Sequence, residues 1–207
     1  MTRLLPMFPL GTVLFPRAPL DLHVFEPRYR VMMHDCLRGD REFGVVLIER
    51  GSEVGGGDTR CAVGTIARVI RSTELPDGRY AVGTVGIARV RVAAWLADDP
   101  YPRAEVDQLV EGAPGPRVEA ARAAAVAEFE RLASLYARLD ARAHLGIPEL
   151  TTDAVGASFQ LAAAAPIGPL DAQRLLELDD AGARFNALGA LLADHAQLVE
   201  ARLRDER

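Results

Sequence analysis

Residues 5–39 read LPMFPLGTVLFPRAPLDLHVFEPRYRVMMHDCLRG, and the reading of this stretch decides the fold. Pro6, Pro9, Gly11, Pro16 and Pro19 punctuate a dense apolar run. Each proline fixes φ and lacks a backbone donor, so neither one helix nor one central strand is expected to run through the segment. Short extended pieces are expected instead, before Pro9, at residues 13–15 and at residues 20–25. At Glu26-Pro27 the period changes, and proline at the first helical position costs no hydrogen bond. Tyr29, Met32, Met33, Cys36 and Leu37 then fall at i, i+3, i+4, i+7 and i+8, one apolar stripe of a helix that Gly39 closes.

Working outward from this helix, residues 43–48 (FGVVLI) form a β-branched run suited to a strand covered on both faces. Residues 51–59 (GSEVGGGDT) read as a surface loop. They lead into a strand and lack the lysine that a phosphate-binding loop requires. Residues 62–65 (AVGT) recur at 81–84, and IARV at 66–69 recurs at 87–90. Between the copies stands Leu75-Pro76-Asp77-Gly78, with turn chemistry in place, so the two copies are expected to be the arms of one long hairpin. The second copy carries an extra Val85-Gly86, which places a bulge or bend at Gly86. Arg89 and Arg91 are expected on one face with Val90 and Val92 on the other. Trp95 ends the run, and residues 100–110 supply a last strand.

The clearest boundary is GAPGP at residues 112–116, where alternating β-branched residues give way to an alanine-rich pattern. Beyond it Val118, Ala121, Ala125, Phe129, Leu132, Tyr136 and Leu139 form a helical seam. Thr152 or Asp153 can cap a second helix, residues 171–178 a third, and Asp180 a fourth carrying Phe185, Leu188, Leu192, Val199 and Leu203. The fold class expected is therefore α+β: residues 1–112 a small β-barrel with one inserted helix, residues 113–207 a helical bundle.

The chain has 207 residues, 49% of them hydrophobic, a net charge of −5 and mean hydropathy of +0.06. That balance fits a globular protein with a real core and gives no general attraction to nucleic acid or an anionic membrane. No run reaches transmembrane length without charges, and prolines break the only candidate leader, so a cytoplasmic location is expected. Cys36 and Cys61 are too few for a disulfide framework. Every basic side chain is arginine; the sequence contains no lysine.

LPMFPLGTVLFP followed by LHVFEPRYRVM closely resembles the opening of the Lon-type N-terminal domain, the substrate-binding segment of ATP-dependent Lon proteases. The resemblance continues in order through FGVVLI, VGTIARVI, LPDGRY and ASFQLAAAAPIGPLDAQRLLELDD, covering nearly the whole chain. Its signature positions are Pro9, Phe15, Pro16, Glu26, Pro27, Arg28, Tyr29, Gly64, Thr65, Asp77 and Gly78. What it implies is a PUA-like barrel followed by a helical bundle, acting as a stand-alone polypeptide-recognition domain in protein quality control or as partner of a protease. Catalysis is not implied, because in Lon proteases that work lies in downstream domains.

A search for chemistry agrees with that expectation. Without lysine there is no Walker motif, Schiff-base lysine or Ser-Lys dyad. Ser52, Ser72, Ser134 and Ser158 lack a G-x-S-x-G elbow. His23, His34, His144 and His195 have no metal-ligand spacing. No catalytic, cofactor or metal residue is expected. Glu26 and Arg28 read as a helix cap or salt link and a brace for the barrel. Arg17, Arg28, Arg30 and Arg38 read as a solvated face. Met32, Met33 and Trp95 are the candidates for polypeptide contact, with core packing the competing assignment for the methionines. The expected partner is unfolded or apolar-rich polypeptide, or a dedicated protein. An RNA-binding module is the alternative, and it would need an arginine face with exposed aromatics.

Overall fold

The computed structural model describes residues 2–50, 59–139 and 145–205. The glycine-rich stretch up to Asp58, Ser52 within it, and His144 lie outside them. The chain divides into two compact units, Met1–Val110 and Glu111–Arg207.

The first unit holds β1 (Thr2–Leu10), β2 (Pro19–Val24), α1 (Pro27–Arg38), β3 (Glu42–Arg50), β4 (Thr59–Glu74), β5 (Tyr80–Trp95) and β6 (Arg103–Gln108). Its sheet is mixed, ordered β2-β5-β4-β3-β1-β6, with only β1–β3 parallel and a further β5–β6 pairing. The pairings therefore return to their start through β1, β3, β4, β5 and β6, and β2 stands outside that ring with β5 as its one strand neighbour among the described residues. Leu5, Met7, Val46, Ile66, Val90, Ala104 and Val106 form the core cluster of this unit.

β1 is the extended piece expected before Pro9, but it includes Pro6 and continues through Pro9 to Leu10. The strand changes partner midway: residues 2–6 pair with β6 and residues 7–10 with β3. Met7 N–H bonds Pro102 C=O at 2.8 Å, so odd-numbered amides face the β6 side and even-numbered ones the β3 side. Pro6 would donate toward β3 just before that ladder starts, and Pro9 toward β6 just after that ladder ends. Both missing donors fall where no bond was due. Residues 13–15 are not a strand; Leu14 and Phe15 are buried in an irregular loop, and the sheet holds this loop and β2 by the carbonyls of Leu14 and Leu20.

That hold explains the repeated Gly-Thr. Thr65 Oγ1 donates to Leu14 C=O at 2.5 Å, and Thr84 Oγ1 donates to Leu20 C=O at 2.8 Å. Gly64 lies where a Cβ would stand 2.3 Å from Val45 O. The arms pair as the long hairpin expected, with Gly78 at φ 76° and Asp77 accepting from Arg79 N–H at 3.1 Å. The register slips between Ile66 and Ala67, opposite Ile87, so the bulge falls beside Gly86. Arg89 and Arg91, expected on one face, differ in burial. Arg91 on the same side is exposed, yet Arg89 is buried at 1%.

Glu42, unremarked in sequence, is 8% exposed and bonded by Arg3 Nη1 at 2.5 Å and Arg68 Nη2 at 2.6 Å. Burial alone pushes its carboxyl up, but the bonds and charges of Arg3 and Arg68 outweigh this and hold it below its usual range. A depressed folded-state pKa stabilises above the unfolded value of about 4.3 and ceases to do so as pH falls through the folded value. Glu42→Gln is accordingly expected to cost about 1–2 kcal/mol at neutral pH, a gap to wild type that closes below about pH 4. Urea midpoints of both proteins across pH 3–7 measure it; a pH-independent gap would show that the charge is irrelevant.

In the second unit are α2 (Val118–Leu139), α3 (Ala154–Ala164), α4 (Pro169–Glu177) and α5 (Ala181–Asp205). Asp153 caps α3 by accepting from Gly156 N–H at 2.7 Å, and Asp180 accepts from Ala183 N–H at 2.7 Å. The α2 seam buries Ala121, Ala125, Phe129 and Leu132 but then turns to Leu135. Tyr136 is half-buried, its hydroxyl 3.1 Å from His195 Nε2. Val118 meets Gly182, a Cβ on Gly189 would stand 3.6 Å from Ala125 Cα, and Tyr136 meets His195, so α2 and α5 advance in parallel. Parallel neighbours need a long crossover, which α3 and α4 supply.

Arg184 of α5 is fully buried, a position the helical pattern gave no reason to suspect. Its guanidinium donates to Ser158 Oγ at 2.7 Å, Leu175 C=O at 3.2 Å, Leu178 C=O at 2.5 Å and Glu111 Oε2 at 3.1 Å. It also lies 3.8 Å over the Phe159 ring. One side chain thus ties α3, the end of α4 and the segment before α2 to α5.

Candidate functional site

The sequence EPRY lies at the turn from β2 into α1, and the structure places one pocket on each side of it. Pro27 occupies the first helical position, as expected, and Arg30 N–H bonds Glu26 C=O at 2.9 Å. The Glu26 side chain makes no cap; it accepts from Arg28 Nε at 3.2 Å. Arg28 in turn lies 4.5 Å over the Tyr29 ring, and Tyr29 stacks on Phe8 of β1 at 4.2 Å. This chain of contacts fixes the helix start on the sheet, and of the two roles open to Glu26 it has the salt link.

On one side, a pocket of about 190 Å³ is bounded by Phe8 and Leu10 of β1, residues 21–24 of β2, and Phe25, Glu26 and Tyr29. On the other side, a pocket of about 390 Å³ is bounded by Pro27, Arg30, Val31 and His34 of α1 and by Glu74, Gly78 and Tyr80 of the hairpin. Arg30 lies against the hairpin turn: a Cβ on Gly78 would stand 2.0 Å from Arg30 Nη2. Burial and then the nearby Glu74 push the Tyr80 hydroxyl above its usual range, so it stays protonated at neutral pH. Two large apolar side chains of these linings face solvent, Phe25 at the smaller pocket, 53% exposed, and Val31 at the larger, 43% exposed. Neither was singled out in sequence. Their signal was position: Phe25 precedes the helix and Val31 lies off its apolar stripe.

The candidate contact residues fare differently. Met32 and Met33 are wholly buried. They are the innermost part of the α1 stripe, packed as core side chains. Trp95 is 36% exposed at the far end of β5 from Tyr80, beneath the Arg60 guanidinium at 4.6 Å. The fold does not bring it to the EPRY pockets. Of the signature positions, Pro9, Phe15 and Pro16 are buried, Thr65 holds the loop before β2, and Gly64 lies close against Val45 of β3. Asp77 and Gly78 make the turn that walls the larger pocket.

Several of the groups searched in sequence are held in structural contacts. Ser134 and Ser158 donate to the carbonyls of Glu130 and Val155. Cys36 and Cys61 do not form a disulfide, and burial, with Asp35 beside it, pushes the Cys36 thiol up to about 12. Tyr101 donates to Asp35 Oδ2 at 2.9 Å; burial, then that bond, raises it to about 12. Among the described residues no cluster of three or more His, Cys, Asp or Glu could hold a metal, and no helix is long and apolar enough to cross a membrane. In the second unit a pocket of about 260 Å³ lies among Arg138, Glu200, Leu203 and Arg204, with Glu200 already bonded to Arg131.

Residues 4–194 match the family described as the ATP-dependent protease La (LON) substrate-binding domain. Lon protease 2 of Herpetosiphon aurantiacus is 30% identical over 201 residues, which is 95% of this chain and 24% of that protein. Lon protease of Syntrophomonas wolfei is 29% identical over 208 residues, 96% of this chain and 25% of that protein. The chain thus spans about a quarter of these relatives. A LON peptidase N-terminal domain and RING finger protein of Schizosaccharomyces pombe is 31% identical over 116 residues, 50% of this chain and 24% of that one. Among solved structures, the Lon N-terminal domain protein from Xanthomonas campestris superposes with a TM-score of 0.63 at 28% identity, covering 91% of this chain and 98% of that one. The N-terminal domain of a Mycobacterium avium complex Lon protease gives 0.66 at 18% identity, covering 93% and 100%, a likeness of fold.

Proposed function

The chain belongs to the Lon substrate-binding domain family, and from that premise we propose that it recognises unfolded or apolar-rich polypeptide, or a dedicated protein partner, without catalysing a reaction. The observation that carries this reading is the EPRY shoulder, where exposed Phe25 and Val31 each border one of two pockets whose walls are largely apolar. Apolar anchors beside pockets are the usual core of a protein-binding patch. The family is named for substrate binding, and its proteolysis belongs to other parts of Lon proteases. The lysine-free sequence fits a role without nucleotide hydrolysis or peptide cleavage. We also assign the first unit as a PUA-like barrel, on its ring of strand pairings, and the second as a helical bundle. A cytoplasmic location and a role in protein quality control go with this reading.

The experiment is a titration with an unfolded model protein and with a mixed-sequence single-stranded RNA, each at low and moderate salt. Polypeptide should bind weakly, at micromolar Kd or above, on the scale of roughly −8 kcal/mol or less in magnitude. That binding should be nearly indifferent to salt, with a negative heat-capacity change. Phe25→Ser combined with Val31→Ser should weaken it about tenfold while leaving the melting temperature in place, because both side chains are exposed. RNA binding that falls by about 0.7 log units per log salt for each phosphate contact, with no polypeptide binding, would overturn the reading.

A further inference from the structure

We propose that the outer edge of β2 is the docking rail of this domain, and that it takes up one extended segment of polypeptide by strand addition. This inference deepens the polypeptide-binding reading above and rests on it. Gly86 N–H bonds Ala18 C=O at 3.0 Å, directly opposite in the register that pairs Leu20 with Thr84, Leu22 with Val82 and Val24 with Tyr80. In an antiparallel ladder, residues two apart share the same bonding side. Leu20, Leu22 and Val24 therefore turn their N–H and C=O groups to β5. The alternate residues turn theirs away from it, giving two donors, on Asp21 and His23, and three acceptors, on Pro19, Asp21 and His23. Such a row is what an added strand pairs with.

The same edge borders the 190 Å³ pocket, whose floor is Phe8, Leu10 and Tyr29 beside the half-buried Leu22. This volume lies under the roughly 300–1,000 Å³ of small-molecule sites and has room for one large apolar side chain. Its charge matches such a guest. The two carboxylates at its rim are already paired, Asp21 with Arg71 at 2.7 Å and Glu26 with Arg28 at 3.2 Å, so an uncharged side chain meets no uncompensated charge. An extended segment bonded to Asp21 and His23 would set alternate side chains over the pocket, one of them a leucine or phenylalanine. Backbone bonding supplies affinity without sequence preference, and the pocket supplies a preference for apolar residues.

His23→Pro tests the rail, because it deletes an outward N–H while leaving the bonds to β5 in place, and proline is tolerated on an edge strand. Affinity for reduced, carboxymethylated α-lactalbumin, followed by fluorescence anisotropy, is expected to fall at least tenfold with the circular dichroism spectrum unchanged. On the wild-type protein, a soluble peptide alternating leucine with serine should bind. Its analogue N-methylated on every leucine and that methylated on every serine should differ at least tenfold, since one set of amides faces the rail. This arm needs no variant to fold. Polypeptide binding that ignores both His23→Pro and the methylation register would overturn the rail and leave the polypeptide reading standing. Absence of any polypeptide binding by wild type would overturn both. Concentration-dependent dimers that His23→Pro abolishes, with polypeptide binding unaffected, would give the edge to a second copy and overturn the proposal.

Discussion

Arg184→Ala should destabilise the helical unit by at least about 3 kcal/mol. The wild-type guanidinium is fully buried and satisfies two main-chain carbonyls, the Ser158 hydroxyl and the Glu111 carboxylate. Alanine leaves Leu175 and Leu178 with carbonyls out of reach of that donor, and opens a void against Phe159. Arg184→Lys should rescue only part of the loss, because an ammonium cannot span the same fork of acceptors. Glu111→Gln should cost far less, about 1 kcal/mol, since its side chain is 24% exposed and water can replace the arginine. Urea unfolding followed by circular dichroism at the helical band, where α2 and α5 dominate, reads the effect. A loss under about 1 kcal/mol in Arg184→Ala would mean the carbonyls find other partners.

Gly64→Ala should be as severe for the strand unit, about 3 kcal/mol. The added Cβ would sit 2.3 Å from Val45 O, a main-chain atom of a strand bonded on both sides, so no flexible side chain can give way. Either β3 and β4 part, or the residue leaves the ladder and withdraws Thr65 from Leu14 C=O. The single tryptophan, Trp95, lies in this unit and reports its unfolding by fluorescence. We expect the tryptophan transition to shift in Gly64→Ala and the helical transition to shift in Arg184→Ala, each leaving the other in place. A joint shift of both probes in either variant would show that the two units unfold as one.

Where local chemistry decides, the sequence was enough. Pro27 at a helix start, Asp153 and Asp180 as caps, the Pro-Asp-Gly turn and the bulge beside Gly86 each depend on φ limits or on bonds spanning a few residues. Any chain with those residues meets the same constraints. The helix start at EPRY was legible for the same reason, as was the stripe that buries Met32 and Met33. Periodicity names the buried face but cannot exclude that a methionine pair is left at a surface.

Only the tertiary structure decided the rest, because the deciding partners are remote along the chain. Glu42 is buried by virtue of Arg3, 39 residues away, and Arg184 by virtue of Glu111, 73 residues away. A charged residue reads as exposed until its counter-groups are placed, since burying a charge alone is prohibitive. Prolines 6 and 9 read as strand breakers until β1 is seen to exchange β6 for β3 between them. The pockets follow the same rule. Their EPRY wall is contiguous, whereas Phe8, Leu10, Glu74 and Tyr80 arrive from three other strands. The open edge of β2 is a property of sheet order, and sheet order is written in no single stretch of residues.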